Sequence, residues 1–532
     1  MFNLNINTNP CWVVRGLSYS SIFYLNLFNK IYKLNLDREN MNYTKTLVRG
    51  SGIVFIVAIF SAILGYLLRI LLARNLTIEE YGLFYAVFAF VNVIASFRTF
   101  GVGQALIKFI PEFKLNEDYS SIKKGICYYS LLQFFSFILI FGFIFLFADK
   151  LAIDYFKDLN SINLLLLLTL ASTFAIFESL FHVLFLGYKK SGHYAFTTFF
   201  QMLLVVIVTF ILLKFGVGYL APAYGYLIAS IIAGITYYIL FRRVSPKFFK
   251  AKFNLDFKFF KKLTLFGLPL TAGAVIGSSI GQLDILIITY FTNLKDVALY
   301  SIAMPVSMLL RQFSKSISLI LIPVSSEIYI KDKSLLIEGI KNIHKYILIT
   351  IMPIALVMAI FAPLIISIFF GDEYLGAVWT LRILAVSAIF YSIAYVNSNI
   401  LLGIGKSGLN AKIMVGLSLI ALVLDLFLIP LYGIVGAAIG VFVASFIMFF
   451  ISFIYMKQNI NYFPSIKLFI KIVLLGSLFL VLIGLLRNLP FVNLWAEIFV
   501  LGIISIIVYL VGLLLFRIIY IEEIKILLKR IF

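Results

Sequence analysis

The chain has 532 residues, of which 63% are hydrophobic, 17% are aromatic and only 13% are charged, and its formal net charge is +21. A water-soluble domain cannot cover that much apolar surface, so the chain must be solvated by lipid. Its two cysteines, together with three histidines that share no ligand spacing, exclude a disulfide framework and a metal cluster. We expect neither a metal nor a cofactor.

The N-terminal extension, residues 1–44, is rich in Asn and lacks the charged, apolar and small-residue pattern of a signal peptide. Met41 lies inside it, and we expect translation to begin there, so that residues 1–40 would be absent from the natural protein. A disordered or interfacial cytoplasmic tail is the alternative. Peptides from residues 1–40 in the natural product would contradict the first interpretation.

About fourteen apolar segments of roughly 20 residues follow, each long enough for a helix to cross the hydrocarbon core. The first six occupy 45–241, a basic cytoplasmic linker follows at 242–262, and six more occupy 263–456. Two appended spans at 457–516 and an amphipathic tail at 517–532 complete the chain. The predicted fold class is therefore an all-α polytopic membrane protein.

Two stretches of sequence recur 216 residues later in the chain. LGYKKSGH at 186–193 matches LGIGKSGL at 402–409, and EEYGLF at 79–84 matches KDVALY at 295–300. A constant offset across six spans predicts two homologous lobes in the same orientation, related by an axis along the membrane normal. Many secondary transporters have this plan, with the binding site between the repeats.

The basic residues are unevenly divided between the two sides of the membrane. Of the 44 Lys and Arg residues, 33 fall in alternate loops that include both tails, and six fall in the intervening loops. The positive-inside rule then predicts a multi-pass protein of the cell membrane with both termini in the cytoplasm. This distribution argues against a nucleic-acid partner, and it places the basic linker against anionic lipid headgroups.

Arg311 and Lys315 are the strongest candidates for a binding site. They are four residues apart in one predicted span, so they project from one helix face about 6 Å apart. Two like charges on one face repel unless an anion lies between them, which favours a phosphate-binding wall. The alternative is a structural pair that is neutralised by carboxylates of neighbouring helices.

Two further cations complete the candidate substrate-binding set. By the 216-residue offset, Arg98 falls on Ser314, one residue before Lys315, so each lobe places a cation at similar depth in its second helix. Arg69 lies near the outer end of the first span. For both residues, anchoring at the membrane interface is the competing interpretation.

Three acidic or imidazole groups inside predicted spans are candidates for ion coupling. Glu178 and His182 are four residues apart on one face, so they can carry a proton, hold a sodium ion or form a packed hydrogen-bonded pair. Asp284 can neutralise Arg311 or bind a coupling cation. We expect Asp425, near the outer end of its span, to be solvated.

Residues 49–113 and 401–440 resemble the polysaccharide-biosynthesis, O-antigen-type flippases of the multidrug/oligosaccharidyl-lipid/polysaccharide exporter superfamily. The most specific elements are EEYGLF at 79–84 and IPLYGIVGAA at 429–438. The resemblance holds in register over about 45–456. It implies two six-helix lobes around a cationic cavity, and the export of isoprenoid-diphosphate-linked oligosaccharides by alternating access.

Residue by residue, the resemblance places the cavity cations on Arg69 and on Arg311 with Lys315. The chain departs from the family pattern at Asp425, where members usually carry Asn. We expect a flippase and not an enzyme, with a lipid-linked oligosaccharide as substrate, membrane lipids as partners and H⁺ or Na⁺ as a possible coupling ion. A multidrug or cation antiporter would prefer an acidic cavity, and a membrane glycan polymerase would need a large outer loop.

Overall fold

The computed structural model describes residues 38–98, 100–251 and 257–464, and short stretches between residues 467 and 518. In these residues the chain is helical and contains no strand, which confirms the all-α fold class. Most of the extension expected at 1–44, most of the appended spans expected at 457–516 and nearly all of the tail expected at 517–532 lie outside them.

The chain divides into two compact units. In the unit that contains the C-terminal segment, the Nζ of Lys471 donates a 2.9 Å hydrogen bond to the carbonyl of Phe516 and so ties two described helical stretches together. The other unit comprises residues 51–466 and contains every contact described below. Helix α1 begins before residue 51 and continues into this unit. The helices of the first half are α1 (Arg38–Asn75), α2 (Ile78–Ser96), α3 (Val102–Leu115), α4 (Tyr119–Lys150), α5 (Ser161–Gly187), α6 (Ser191–Lys214) and α7 (Ala221–Val244).

A short helix, α8 (Pro246–Lys250), lies in the basic linker between the halves. The second half then follows as α9 (Phe257–Phe291), α10 (Leu294–Lys331), α11 (Lys333–Ile360), α12 (Ala362–Phe369), α13 (Val378–Gly403) and α14 (Ser407–Ile460). We call the end of the bundle that carries the linker and the other basic loops the basic end.

Nine of the described helices are long and apolar enough to cross a membrane, and α10 makes a tenth if its bend is counted within one span. Helices suit this environment because they satisfy every backbone polar group internally where no water is present. The protein is therefore a polytopic membrane protein. Helix α14 contains two of the predicted spans, which meet at Gly433, where φ is 57° and ψ is −138°.

Carboxylate caps fix two helix starts at the basic end. Asp118 accepts a 2.9 Å hydrogen bond from the Ser121 N–H at the start of α4, and Asp332 accepts a 2.8 Å bond from the Ser334 N–H at the start of α11. Hydrogen bonds from the serine side chains, together with these backbone bonds, favour the ionised form and lower the pKa of both carboxyl groups.

The second helix of each half is interrupted at a similar place. In the first half, Phe100 and Gly101 adopt φ values of 42° and 69° and separate α2 from α3. In the second half, α10 bends by 40° between Ser318 and Leu321. The 216-residue offset places Gly101 on Ile317, next to that bend. The breaks therefore fall where a duplicated helix would place them.

The two halves contact each other at the end opposite the basic end. Gly82 of α2 packs on the start of α10 so closely that a Cβ atom would overlap the carbonyl oxygen of Leu294. Nearby, the Tyr66 hydroxyl donates to the carbonyl of Pro305. Glycine is required at position 82 because the two backbones touch there.

An arginine extends this contact between the halves. Arg74, at the end of α1, donates hydrogen bonds to the carbonyls of Ser367 (3.0 Å) and Ile368 (2.5 Å) in α12. A cation at a helix C-terminus is favourable because the unpaired carbonyls there carry partial negative charge. Across the same end, the Tyr155 hydroxyl donates a 2.8 Å bond to the carbonyl of Leu286. These contacts close this end of the bundle.

Candidate functional site

Arg311 is a buried cation with few partners. Its side chain is only 6% exposed, and its Nη2 donates a 3.3 Å hydrogen bond to the Ser387 hydroxyl of α13. Its guanidinium carbon lies 4.6 Å from the centroid of the Tyr391 ring, also on α13. The Nε–H has no hydrogen-bond partner among the described residues. A guanidinium in this state has donor capacity left for an anion.

Lys315 lies one helical turn beyond Arg311 and is exposed. The three ion pairs among the described residues involve neither of these two cations. Within those residues, neither cation therefore forms a direct ion pair with a carboxylate. The two side chains also lie in different environments, because Arg311 is buried against α13 whereas Lys315 is exposed.

Asp284 and Asp425 form a buried acidic pair close to Arg311. Asp284 is 2% exposed and accepts a 2.5 Å hydrogen bond from the Tyr300 hydroxyl. The carboxyl group of Asp425 lies within hydrogen-bonding reach of Asp284. Arg311 acts electrostatically on Asp284 without forming an ion pair with it. Asp284 therefore partners Tyr300 and Asp425 and does not pair directly with the arginine.

The expectation that Asp425 is solvated is wrong, since the residue is 0% exposed. Helix α14 turns at Gly433, so its second part folds back over the end of its first part. A Cβ atom on Gly440 would lie 2.5 Å from the Oδ1 of Asp425. Glycine at this position leaves the space that the carboxyl group occupies. Neither Asp425 oxygen has a conventional donor nearby among the described residues.

Arg69 bridges the two halves. Its Nη1 donates a 2.7 Å hydrogen bond to the carbonyl of Ser301 in α10, and its guanidinium lies 4.4 Å from the centroid of the Tyr85 ring. These contacts belong to the closed end of the bundle. The structure thus places Arg69 apart from the Arg311 cluster, with part of its donor capacity used by the fold.

Arg98 lies in the break between α2 and α3. Its Nη1 donates to the carbonyl (2.7 Å) and the hydroxyl (3.3 Å) of Ser172 in α5, and its Nε donates to the carbonyl of Ala95 (3.3 Å). The side chain thereby holds the interrupted helix against α5. All of these contacts lie within the first half of the chain.

Glu178 and His182 do share one face of α5, as the sequence predicts. The Glu178 carboxylate accepts a hydrogen bond from the amide of Gln201 in α6. The Nε2 of His182 lies 4.0 Å from the nearer Glu178 oxygen and has no hydrogen-bond partner among the described residues. The imidazole packs against the Tyr237 ring, with 5.9 Å between the centroids. The two groups are neighbours without a direct hydrogen bond.

The structure therefore brings together Arg311 and Asp284 of the predicted set, with Lys315 one helical turn from Arg311. It places Arg69, Arg98 and the Glu178–His182 pair elsewhere. Sequence reasoning did not place Ser387, Tyr391 or Asp425 at this cluster. Of these three residues, only Asp425 could have been singled out from the sequence, because it is an acidic residue in an apolar span a few positions before several glycines.

Comparisons with known proteins agree with this architecture. The family model described as polysaccharide biosynthesis protein matches residues 47–329. An uncharacterized membrane protein of Methanocaldococcus jannaschii is 29% identical over 505 residues, which cover 92% of this chain and 99% of that protein. The "Probable low-salt glycan biosynthesis flippase Agl15" of Haloferax volcanii is 26% identical over 424 residues, covering 79% of this chain and 85% of that protein.

Solved structures share the fold. The lipid II flippase MurJ in an inward closed conformation superposes with a TM-score of 0.71 at 19% identity, covering 87% of this chain and 98% of that chain. A multidrug resistance MATE family transporter in an inward-facing conformation gives 0.63 at 15% identity, covering 75% and 94%. These structural similarities establish the fold of the helices on both sides of the linker.

Proposed function

Because this chain belongs to the polysaccharide biosynthesis protein family, whose model matches residues 47–329, we propose that it is a flippase for isoprenoid-diphosphate-linked oligosaccharides. It moves them across the cell membrane by alternating access, with six-helix lobes at 45–241 and 263–456 and with both termini in the cytoplasm. The family membership and the flippase among its relatives support this assignment.

The observation that carries the proposal is the state of Arg311. It is a buried guanidinium that forms no ion pair within the described residues and keeps an unused Nε–H donor. A diphosphate cannot enter hydrocarbon alone, because its charged oxygens would lose their hydration. Arg311 replaces part of that hydration, and the exposed Lys315 one turn away adds a second positive charge.

The membrane potential drives export in the proposed orientation. With the cytoplasm negative, outward movement of an anion gains about 2.3 kcal/mol per charge per 100 mV. A diphosphate-linked substrate carries two such charges, so transport does not require a coupling ion on energetic grounds.

The acidic pair of Asp284 and Asp425 supports coupling to a proton in addition. Two carboxyl groups in contact inside a protein cannot both ionise readily, and a hydrogen bond between them needs one proton. We therefore assign ion coupling to this pair before the Glu178–His182 pair, whose carboxylate already has the Gln201 amide as donor.

The same buried acids favour a second candidate function, a cation or multidrug antiporter of this fold. The two functions are separated by reconstituting the purified protein in proteoliposomes and measuring two activities side by side. A flippase moves a fluorescent lipid-linked oligosaccharide between leaflets and does not extrude cationic dyes. Dye extrusion without lipid translocation would reject the flippase. Mass spectrometry of the lipids that copurify with the protein gives an independent readout.

A further inference from the structure

We propose a second anion-binding site at the basic end, formed by Lys108 of α3 and Lys262 of α9, which we call the lysine pair. Its ligand is the diphosphate headgroup of the lipid-linked substrate, held there before the substrate enters the bundle. This inference rests on the proposed function for the identity of the ligand, and on the geometry below for the site.

Both ammonium groups of the lysine pair lie near one aromatic ring. The Nζ of Lys108 is 5.2 Å from the centroid of Phe109 and 4.2 Å from that of Phe266. The Nζ of Lys262 is 5.6 Å from the same Phe109 centroid. The quadrupole of the ring attracts each cation but cannot neutralise two. Because each Nζ lies within 5.6 Å of the Phe109 centroid, the two flexible side chains can both reach one diphosphate group placed beside that ring.

The rings form a fixed platform between two helices. Phe109 and Phe266 pack edge to face with 5.3 Å between centroids, and Phe113 packs against Phe259 at 5.7 Å. Such aromatic contacts are specific in geometry and hold their partners in place. The lysine pair is therefore attached to a rigid surface, although both lysines are exposed.

The aromatic platform lies next to a point where the backbones of the two halves touch, on the side of that point that faces the basic end. A Cβ atom on Gly267 of α9 would lie 2.6 Å from the carbonyl carbon of Gly101, so the backbones touch there. At 1.5 Å per residue, Lys108 and Lys262 lie about 10 Å and about 8 Å from this crossing. Both lysines lie between this crossing and the basic end. The lysine pair thus lies where α3 of the first half meets α9, the first helix of the second half.

The lysine pair differs from two neighbouring lysines, which already have polar partners. Lys247 forms an ion pair with Glu117 at 3.2 Å, and the Nζ of Lys123 donates to the backbone carbonyls of Phe249 and Ala251 at 3.2 Å and 2.8 Å. Neither member of the lysine pair forms an ion pair within the described part of the chain.

Charge complementarity favours the diphosphate over ordinary phospholipids. The lipid-linked diphosphate carries two negative charges, which match two ammonium groups, whereas a phosphatidylglycerol headgroup carries one. Repulsion between the ammonium groups is relieved most by the ligand with the higher charge.

The test uses the full-length protein in phosphatidylcholine nanodiscs and geranylgeranyl diphosphate as the probe. We expect the double variant Lys108→Gln/Lys262→Gln to raise the apparent Kd by about tenfold or more, because two charge-assisted contacts are lost. The matched control is Lys333→Gln/Lys341→Gln, which removes the same charge from exposed positions of α11. Lys333 also lies over an aromatic ring, 5.1 Å from the centroid of Tyr329. The control is expected to bind like the wild type.

Three results would overturn the lysine pair: no binding by the wild type, an equal loss in both double variants, or unchanged binding by the Lys108/Lys262 variant. In nanodiscs that contain phosphatidylglycerol, this lipid should compete with the probe only weakly. Equal competition would mean a general contact with anionic lipids and would also reject the assignment. If the wild type binds the probe through the lysine pair but never translocates lipid-linked oligosaccharide, the proposed function fails and the site stands.

Discussion

The carboxyl group of Asp425 faces that of Asp284 inside the second half of the chain, and neither Asp425 oxygen has a conventional donor nearby in the described structure. The Tyr300 hydroxyl already donates a hydrogen bond to Asp284. One proton shared between the two carboxyl groups therefore completes the hydrogen bonding of the pair. The pair lies near Arg311, so a change in its protonation alters the charge beside the proposed substrate ligand.

Replacing Asp425 by Asn should preserve the fold and remove the coupling. The amide of Asp425→Asn donates a hydrogen bond to Asp284 without needing a proton. We expect the melting temperature to stay equal to or above that of the wild type. Translocation of a fluorescent lipid-linked oligosaccharide in proteoliposomes should then no longer respond to an imposed pH gradient.

The control for this prediction is Glu178→Gln, which removes the other candidate acid. We expect that variant to keep its response to the pH gradient, because the Gln201 amide already satisfies the Glu178 carboxylate. The opposite pattern, with coupling lost in Glu178→Gln and kept in Asp425→Asn, would move ion coupling to the first half.

Substitution Arg311→Ala should abolish translocation while the protein remains folded and inserted. The variant removes the buried cation but keeps Ser387 and Tyr391, and we expect the rate to fall by at least about tenfold because a charge-assisted contact with the diphosphate is lost. The measurement is the same proteoliposome assay, with size-exclusion chromatography to check the fold.

Arg382 provides the matched control for Arg311. It lies on the same helix as Ser387, stacks 4.7 Å from the centroid of the Trp379 ring and donates a 3.1 Å hydrogen bond to the carbonyl of Ala359. Arg382→Ala should therefore retain translocation. Normal activity of Arg311→Ala would reject Arg311 as a substrate ligand.

The sequence predicted the membrane class, the helical fold and the position of Arg311 within a span, because each depends on local hydrophobicity and on where a charge falls within an apolar run. It failed at Asp425, because burial there depends on how the chain reverses at Gly433 and on the space beside Gly440. It left Arg69 and Arg98 open, because their carbonyl partners on other helices are invisible to sequence patterns.

The contact between Gly82 and Leu294 should control opening at the end opposite the basic end. A Cβ atom at position 82 overlaps a backbone carbonyl, which no rotamer can relieve. We expect Gly82→Ala to destabilise the closed arrangement by about 1–3 kcal/mol, the usual cost of overpacking. Spin labels at Asn75 and Lys295, both exposed, should then show a longer distance component. Gly142→Ala is the control, since nothing lies within 4 Å of its added Cβ.

A buried polar network should stabilise the basic end of the second half. The Nε2 of His344 lies 2.7 Å from the Oδ1 of Asn397, whose amide donates a 2.9 Å bond to Ser452, and the Nδ1 of His344 lies 3.0 Å from the Tyr462 hydroxyl. These residues join α11, α13 and the end of α14. Asn397→Ala leaves both His344 and Ser452 short of a partner, and we expect a loss of about 1–3 kcal/mol in the free energy of unfolding.

The measurement for Asn397→Ala is thermal unfolding in detergent, and the control is Asn459→Ala. The Asn459 amide donates only to the carbonyl of Tyr455, one turn back in its own helix, at 2.9 Å. Its removal leaves a carbonyl that already takes part in the helix, so the melting temperature should change little. Because the network lies away from Arg311, Asn397→Ala protein that remains folded should still translocate substrate. Loss of translocation at a temperature where the variant is fully folded would show that the network has a role beyond stability.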